Sequence, residues 1–187
     1  MNGRDYLAGD PARDDMLILV DVFDREIGTE SKWRTHVEGL LHRAFSVVLV
    51  RDGAAGLEFL LAKRSATKYH SAGLWANSCC SHPRAGEQLL DAAYRRVGEE
   101  LGCKAVELRE IGSFAYRVVF ENGLCEYEYD HVFVGRCEGE IALDAAEVSD
   151  VRWIGLDALT AELAEEPQKF AVWTPTVFTM TLSECCR

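Results

Sequence analysis

The residues with the clearest chemical potential lie in the segment 77–83, where Cys80, Ser81 and His82 are consecutive. The thiolate is the reactive form of cysteine, and its pKa falls beside cations, metal ions and helix N-termini. Cys80 is therefore a candidate catalytic group. The alternative is an inert buried thiol, which is the usual fate of a free cysteine and the one expected for Cys79.

Charged residues recur at fixed spacing just after this segment. Seven residues separate Glu87 from Arg95, and Glu99 and Glu100 follow shortly after. A hard Mg²⁺ ion prefers carboxylate and phosphate oxygens, which Glu99 and Glu100 can supply. The alternative is a solvated helix face on which Arg95 pairs with Glu99 and Arg96 with Glu100, because residues four apart are neighbours on a helix.

Apolar residues predict the element that carries these charges. They recur every three or four positions at Leu89, Leu90, Ala93, Val97 and Leu101. This spacing predicts an amphipathic helix over 88–101 with one buried face. Gly102 is a suitable end for that helix.

Two carboxylates, Glu126 and Glu128, stand two positions apart in a β-rich run. On a strand they project to one face, with Tyr127 and Tyr129 on the other. Like charges on one face repel unless a cation lies between them. The alternative is an exposed strand face, which Asp130 would simply continue.

Histidines are the remaining candidate ligands. His36 and His42 are six positions apart, so they do not form a helical pair and must converge through the fold. Together with His82 and carboxylates, such imidazoles suit Mn²⁺, Zn²⁺ or Fe²⁺ better than Mg²⁺. No role is assigned to His70 or His131, for which a core or surface position is expected.

The stretch from Ser81 to Gly102 resembles the Nudix box, a diphosphate-hydrolase signature written G-x5-E-x7-R-E-U-x-E-E-x-G-U, with U aliphatic. Two positions depart from it: Ser81 replaces the first glycine, and Arg96 replaces a glutamate that hydrolytic members use. The guanidinium of Arg96 suits a diphosphate. The resemblance therefore implies that diphosphate binding is retained and water activation is lost.

Asn-x-Cys-Cys-Ser-His-Pro leading into this altered box resembles the type 1 isopentenyl-diphosphate Δ-isomerases. These enzymes interconvert isopentenyl and dimethylallyl diphosphate by adding one proton and removing another. The resemblance runs from about residue 19 to about residue 175. Further matching stretches are 41–46, 62–65, 73–77, 114–116 and 126–133.

The resemblance implies three catalytic residues. Cys80 is the acid–base cysteine, and Glu128 is the second proton-transfer group as well as a metal ligand. Tyr116 is the aromatic residue beside Glu128, where a ring face can stabilise a carbocation. A core tyrosine is the alternative for Tyr116.

The resemblance also implies two cation sites and a diphosphate site. A Mn²⁺ or Zn²⁺ ion would be held by His36, His42, His82, Glu126 and Glu128. A Mg²⁺ ion would be held by Glu100 and the substrate diphosphate. The cations that match the family's diphosphate-binding positions are Lys32, Arg64, Lys68 and Arg96.

One position near the C-terminus departs from the family. A Pro-Trp pair usually stands there, with the tryptophan over the carbocation, whereas this chain has Thr176 after Pro175. Trp173 would then substitute from another angle. Otherwise cation stabilisation is weaker or the substrate is a different prenyl or organic diphosphate.

The rest of the sequence predicts the strands and helices that must position these residues. Strands are expected over 17–23, 44–50, 57–62, 113–120, 126–135 and 151–154. Turns at 52–56 and 121–123 predict two hairpins. Helices are expected over 156–164 and over 169–184, the latter broken near Pro175. We predict an α+β fold, a Nudix-type mixed β-sheet sandwiched between helices, in a single domain over 1–187 with a loose N-terminal tail over 1–15.

The composition of the chain bears on its domain size, its cellular compartment and its partners. A chain of 187 residues with 48% hydrophobic residues suits one domain with a sizeable core. The absence of a signal-peptide core and the odd count of seven cysteines favour a reducing cytoplasm, and no membrane association is expected. A net charge of −11 argues against a nucleic-acid partner. The expected partner is a small prenyl diphosphate, bound by a monomer or small homo-oligomer.

Two other functions stay open at this point. A Nudix diphosphohydrolase would activate water with the carboxylates of the box, and Arg96 counts against it. A non-catalytic prenyl-diphosphate binder would bind without turnover. Cys80, Glu128 and the histidines count against the binder.

Overall fold

Nine strands and four α-helices follow one another in the computed structural model, which describes residues 16–185. The strands are β1 Met16–Val20, β2 Glu26–Ser31, β3 His42–Gly53, β4 Gly56–Arg64, β5 Trp75–Ala76, β6 Cys79–Ser81, β7 Lys104–Val119, β8 Cys125–Glu138 and β9 Val148–Gly155. The helices are α1 Lys32–Glu38, α2 Leu89–Leu101, α3 Leu156–Glu165 and α4 Thr174–Cys185. The tail predicted over 1–15 lies outside the described residues.

The sheet is organised around β3. This strand pairs in parallel with β8 and antiparallel with β1, β4 and β6. The parallel register sets His42 opposite Glu128, and the antiparallel register with β6 sets Ser46 opposite Cys80. Strand β3 therefore brings residues from distant parts of the chain to one end of the sheet.

Two hydrophobic cores cover the two faces of this sheet. Val47 and Leu49 of β3 belong to the core that α2 closes, whereas Val48 and Val50 belong to the core closed by α3 and α4. Alternate strand residues point to opposite faces, so a strand covered on both sides must be apolar throughout. The predicted sheet between helices is confirmed.

Each predicted strand and helix is present, but β2, α1, β5 and β6 were not predicted, and β7 begins at Lys104, nine residues before the predicted start at 113. Helix α2 ends at Gly102, which adopts the expected left-handed conformation with φ of 63°. The first strand stops at Val20 because the side chain of Asp21 accepts hydrogen bonds from the N–H groups of Phe23 and Arg25 and closes a turn.

The C-terminal helix differs from its prediction over 169–184. It begins at Thr174, so Pro175 lies in its first turn and does not break it. A proline is well tolerated there because the first N–H groups of a helix have no intrahelical partner. Within residues 16–185, no helix is both long and apolar enough to cross a membrane.

Candidate active site

A polar pocket opens where β6, β8 and the N-terminal end of α1 meet the segment 65–74. It is lined by nine predicted site residues: Lys32, Arg64, Lys68, Cys80, His82, Arg96, Tyr116, Glu126 and Glu128. His36 and His42 are buried beside it, and Glu100 is buried next to Arg96. The structure therefore brings the predicted residues together.

Three histidines and one carboxylate converge at the base of this pocket. Ligand atoms of His36, His42, His82 and Glu126 all lie within 4.8 Å of one another. The Nε2 atoms of His42 and His82 are 3.2 Å apart, and Nε2 of His36 lies 3.1 Å from Oε1 of Glu126. Ligand atoms on a single ion, each about 2.1 Å from it, come about this close to one another.

Hydrogen bonds set the tautomers of two of these rings. Nδ1 of His36 donates to the carbonyl of Lys32, and Nδ1 of His42 donates to the carbonyl of Leu40 at 2.9 Å. The neutral rings therefore present Nε2 lone pairs to the cluster. Burial lowers the pKa of His42 to about 4, and it lowers the pKa of His82 well below its usual value. Unprotonated nitrogens of this kind are metal ligands.

Glu126 completes the cluster as a buried anion. Burial would raise the pKa of Glu126, but hydrogen bonds from His36 and His70 outweigh it and hold that pKa well below its usual range. Its Oε2 is buried and has no hydrogen-bond partner. His36 can donate through Nε2 only as an imidazolium, since its Nδ1–H is committed elsewhere. A divalent cation would supply positive charge at the same place, so the donor set fits one.

Glu128 lies between this cluster and Tyr116. Its Oε1 is 3.0 Å from Nε2 of His82, and its Oε2 accepts a 2.6 Å hydrogen bond from the hydroxyl of Tyr116. Burial and the neighbouring Glu126 raise the pKa of Glu128 well above its usual range. Asp130, which continues the stripe, is buried too, so the alternative of an exposed strand face is wrong.

The sulfur of Cys80 is held by hydrogen bonds to two side chains, those of Asn77 and Trp173. Both N–H groups of Asn77 are used, because they donate to the carbonyls of Val47 and Cys79. The acceptor Oδ1 of Asn77 must therefore face Sγ of Cys80, at 3.1 Å, while Nε1 of Trp173 donates to that sulfur at 3.2 Å. A thiol satisfies both contacts, and burial raises the pKa of Cys80 to about 12.

Cys79 faces the other side of the sheet. It belongs to the core under α2, whereas Cys80 packs against the core under α4. Burial raises the pKa of Cys79 well above its usual value. The expected inert thiol at Cys79 agrees with this position.

A buried serine and aspartate stand behind Cys80 and were not predicted. The hydroxyl of Ser46 lies 3.6 Å from the sulfur and donates to Oδ2 of Asp130 at 2.8 Å. Burial raises the pKa of Asp130 to about 7. No spacing signal marks this pair, because it forms only when β3 and β8 align.

The cations form the opposite wall of the pocket. Arg96 contacts Glu100 and also lies 3.3 Å from Glu147, and Glu147 contacts the ammonium of Lys68. Burial, followed by the nearby charge of Lys68, lowers the pKa of Lys32. Glu147 was not predicted; it joins this wall from the residue just before β9.

The alternative prediction for α2, in which its arginines pair with its glutamates on the helix surface, also agrees with the structure. Arg95 and Arg96 each donate to Glu99, and Arg96 donates to Glu100. Arg95 also forms two hydrogen bonds to Glu87, at 2.7 and 2.8 Å. The helix pairs therefore coexist with a position of Arg96 on the pocket wall.

Trp173 lines the pocket with its aromatic ring. Its ring centre lies 6.2 Å from that of Tyr116, and the guanidinium of Arg64 lies 5.3 Å from it. Thr176, at the position where the family carries tryptophan, is exposed on α4. Trp173 therefore lies in the pocket, where a ring that substitutes for the family's tryptophan would have to lie.

His70 lies in this site although the sequence assigned it no role. Its Nε2 is 2.6 Å from Oε1 of Glu126, and both side chains are almost fully buried. His70 is buried, which agrees with a core position, but its contact with Glu126 was not predicted. The sequence carries no signal for this contact beyond the position of His70 two residues after Lys68.

Comparisons with known proteins give the family context. The sequence matches the NUDIX domain family over residues 40–174. It is 50% identical over 160 residues to isopentenyl-diphosphate Delta-isomerase 2 of Photorhabdus laumondii, covering 86% of this chain and 88% of that protein. It is 52% identical over 160 residues to isopentenyl-diphosphate Delta-isomerase of Burkholderia multivorans, covering 86% of this chain and 89% of that protein.

Solved structures share the fold at lower identity. A MutT NUDIX hydrolase from Burkholderia pseudomallei matches with a TM-score of 0.60 and 22% identity, over 75% of this chain and 97% of that one. The NUDIX domain of Shewanella oneidensis NrtR, crystallised with ADP ribose, matches with a TM-score of 0.60 and 16% identity, over 99% of both chains.

Proposed function

This chain belongs to the NUDIX family and, within it, to the isopentenyl-diphosphate Delta-isomerases, and on this premise we propose how its residues divide the work. The enzyme is an isomerase that converts isopentenyl diphosphate to dimethylallyl diphosphate. One proton is added to the terminal methylene carbon, and one is removed from the carbon nearer the diphosphate. Two proton-transfer groups are needed, and we assign Cys80 and Glu128.

The observation that carries this assignment is that both side chains face one pocket from strands on either side of β3. Each is held by an aromatic donor, Cys80 by Trp173 and Glu128 by Tyr116. An alkene between them can exchange one proton with each group. Because the reaction is reversible, the group that donates in one direction accepts in the other.

Adding a proton to the alkene creates a tertiary carbocation, which needs stabilisation without a nucleophile that would trap it. The ring faces of Tyr116 and Trp173 meet this need, because an aromatic face attracts a cation electrostatically. Burial of the site strengthens that attraction. We assign both rings to the hydrocarbon end of the substrate.

The diphosphate end is assigned to the opposite wall. Lys32, Arg64, Lys68 and Arg96 supply positive charge in a chain whose net charge is −11. Glu100 lies beside Arg96 and is the proposed ligand of a Mg²⁺ ion that also binds the diphosphate. The cations would then hold the tail while Cys80 and Glu128 act on the alkene.

The enzyme depends on a divalent metal, and we propose Mn²⁺ or Zn²⁺ at the histidine cluster. His36, His42, His82 and Glu126 would hold it, with Glu128 as a fifth ligand. When bound, the cation supplies the positive charge that favours the ionised form of Glu128. The unpartnered Oε2 of Glu126 and the Nε2 lone pairs support this site.

Hydrolysis of a diphosphate is the competing function of this fold. The position of Arg96 weighs against it, because its guanidinium contacts Glu100 where hydrolytic members carry another carboxylate. A non-catalytic binder would have no use for the framed thiol of Cys80. These observations favour isomerisation over both alternatives.

The deciding experiment incubates the protein with isopentenyl diphosphate, Mg²⁺ and Mn²⁺ in D₂O. We expect dimethylallyl diphosphate that carries deuterium, with no release of phosphate. Release of phosphate without isomerisation would identify a hydrolase. Saturable binding of the substrate without either product would identify a binder.

A further inference from the structure

His70 makes a contact that neither the altered box nor the proton-transfer groups require. It stands in the segment 65–74, which joins β4 to β5. Its ring stacks on Phe120 of the β7–β8 turn, with ring centres 4.5 Å apart and planes 13° apart. Its Nε2 points away from that turn to Glu126.

The contact fixes the rotation of the Glu126 carboxylate. The ionised carboxylate only accepts, so His70 donates through Nε2–H, and its Nδ1 can accept from Ser71 at 3.3 Å. With Oε1 held by His70, the unpartnered Oε2 lies 3.7 Å from Nε2 of His42. The free oxygen therefore points into the histidine cluster.

The same segment carries part of the diphosphate wall. Lys68 stands two residues before His70, and Arg64, the last residue of β4, donates to the carbonyl of His70 at 3.3 Å. Asn122 holds the segment from the other side by donating to the carbonyl of Tyr69 at 2.8 Å. His70 is thus the side chain through which this cationic segment reaches a metal-site carboxylate.

We propose that His70 is a positioning residue that orients Glu126 toward the divalent cation and thereby couples occupancy of the cation site to the order of the segment 65–74. The inference rests on the cation site of the proposed function. A partner that orients a ligating carboxylate contributes about 10–100-fold to metal affinity. The coupling is reciprocal, so a more ordered segment also strengthens cation binding.

The first test measures Zn²⁺ affinity of the metal-free protein by competition with a chromophoric chelator. In His70→Phe, which keeps a ring on Phe120 but has no N–H, affinity should fall by about 10–100-fold. His70→Gln offers an amide N–H to Glu126 and should recover most of that loss. Thr160→Ala, on the exposed face of α3 and outside the segment, should match the wild type.

His42→Ala serves as the reference that identifies the cluster. If His42→Ala binds Zn²⁺ as tightly as the wild type, the cation site itself is elsewhere and the proposed metal function fails. If His42→Ala loses affinity while His70→Phe keeps it, the cation site stands and the role of His70 is overturned. Circular dichroism confirms that each variant is folded.

The second test needs no variant. Hydrogen exchange of the wild-type amides is followed with and without Zn²⁺, since exchange reports local opening. Zn²⁺ should slow exchange at Lys68, Gly73 and Leu74, whose N–H groups bond within the segment or, for Gly73, to the carbonyl of Arg64 at the end of β4. The β3–β4 turn at 53–56 should not change. Equal exchange of the segment in both states would overturn the coupling.

Discussion

The indole nitrogen of Trp173 lies 3.2 Å from the sulfur of Cys80, a residue 93 positions earlier in the chain. The contact places one ring edge on the thiol while the ring itself stays in the pocket beside Tyr116. A single side chain therefore contacts the proposed proton-transfer group and covers the site of the proposed carbocation. The first prediction separates these two contributions.

Trp173→Leu removes both the ring face and the N–H, whereas Trp173→Phe keeps a ring. A desolvated cation–π contact contributes about 2 kcal/mol and the hydrogen bond about 1 kcal/mol, so kcat for isomerisation should fall about 150-fold in Trp173→Leu. Loss of the hydrogen bond alone costs about 1 kcal/mol, which gives about a fivefold loss in Trp173→Phe. Steady-state kinetics measures both.

Thr176→Ala is the matched control at the position where the family carries tryptophan. Thr176 is exposed on α4, so its removal should leave kcat within error of the wild type. A large loss in Thr176→Ala together with normal kcat in Trp173→Leu would show that the pocket is closed by some other group.

The two adjacent cysteines should differ sharply in their effect on catalysis. Cys80→Ala removes a proposed proton-transfer group, which contributes about 10²–10⁴-fold to the rate. Cys79→Ala removes a core thiol on the other face of the sheet, so it should lower stability modestly and keep most activity. Equal losses in two folded variants would refute the assignment of Cys80.

Local patterns in the sequence were enough to predict most of the helices and strands that carry the site. The apolar spacing of Leu89 to Leu101 gave helix α2 almost to the residue, because a buried helix face leaves a periodic trace. Because side chains alternate between the two faces of a strand, the sequence also predicted that Glu126 and Glu128 share one face. The convergence of His36, His42 and His82 came from the family resemblance, since spacing alone does not bring distant histidines together.

The missed residues act through contacts between distant segments. His70 reaches Glu126 from 56 positions away, and Ser46 reaches Asp130 from 84 positions away in a register that only the folded sheet defines. Glu147 pairs with Lys68 across 79 positions. Such contacts leave no period in the sequence, so only the three-dimensional arrangement reveals them.

The metal content of the protein tests the histidine cluster. Protein purified without chelator should carry about one equivalent of transition metal, and His82→Ala should lose it. His131→Ala is the matched control, because His131 contacts Asp24 and Glu110 and not the cluster. Elemental analysis gives both values. Full metal content in a folded His82→Ala would place the metal elsewhere.

Asp130 should make stability depend on pH in a defined direction. Burial raises its pKa from 3.8 to about 7, so the folded state favours the protonated form. Its contribution is present below the unfolded pKa and is lost as pH rises from about 4 to about 7. Above both values the folded state is destabilised by about 4 kcal/mol relative to low pH.

Asp130→Asn has no carboxyl to ionise and isolates this term. The free energy of unfolding of the metal-free variant, relative to the wild type, should rise by up to about 4 kcal/mol between about pH 4 and about pH 8. Urea denaturation across that range measures it. A difference that does not vary with pH would mean that Asp130 is already ionised in the folded state.

Arg96 gives the sharpest test of why the box is altered. Arg96→Glu restores the residue that hydrolytic members carry, but it sets a new anion beside Glu100 and Glu147 and removes a cation from the diphosphate wall. Truncation of a desolvated charge pair costs about 2–5 kcal/mol, so KM for isopentenyl diphosphate should rise about 30-fold or more. Arg96→Lys keeps the charge without the planar fork and should show a smaller rise.

Phosphate release should stay at background, because Ser81 and Cys80 still replace the glycine-rich start of a hydrolytic box. If KM and kcat were both unchanged in Arg96→Glu, Arg96 would be only the helix partner of Glu100, and the departure from the box would have no bearing on substrate binding.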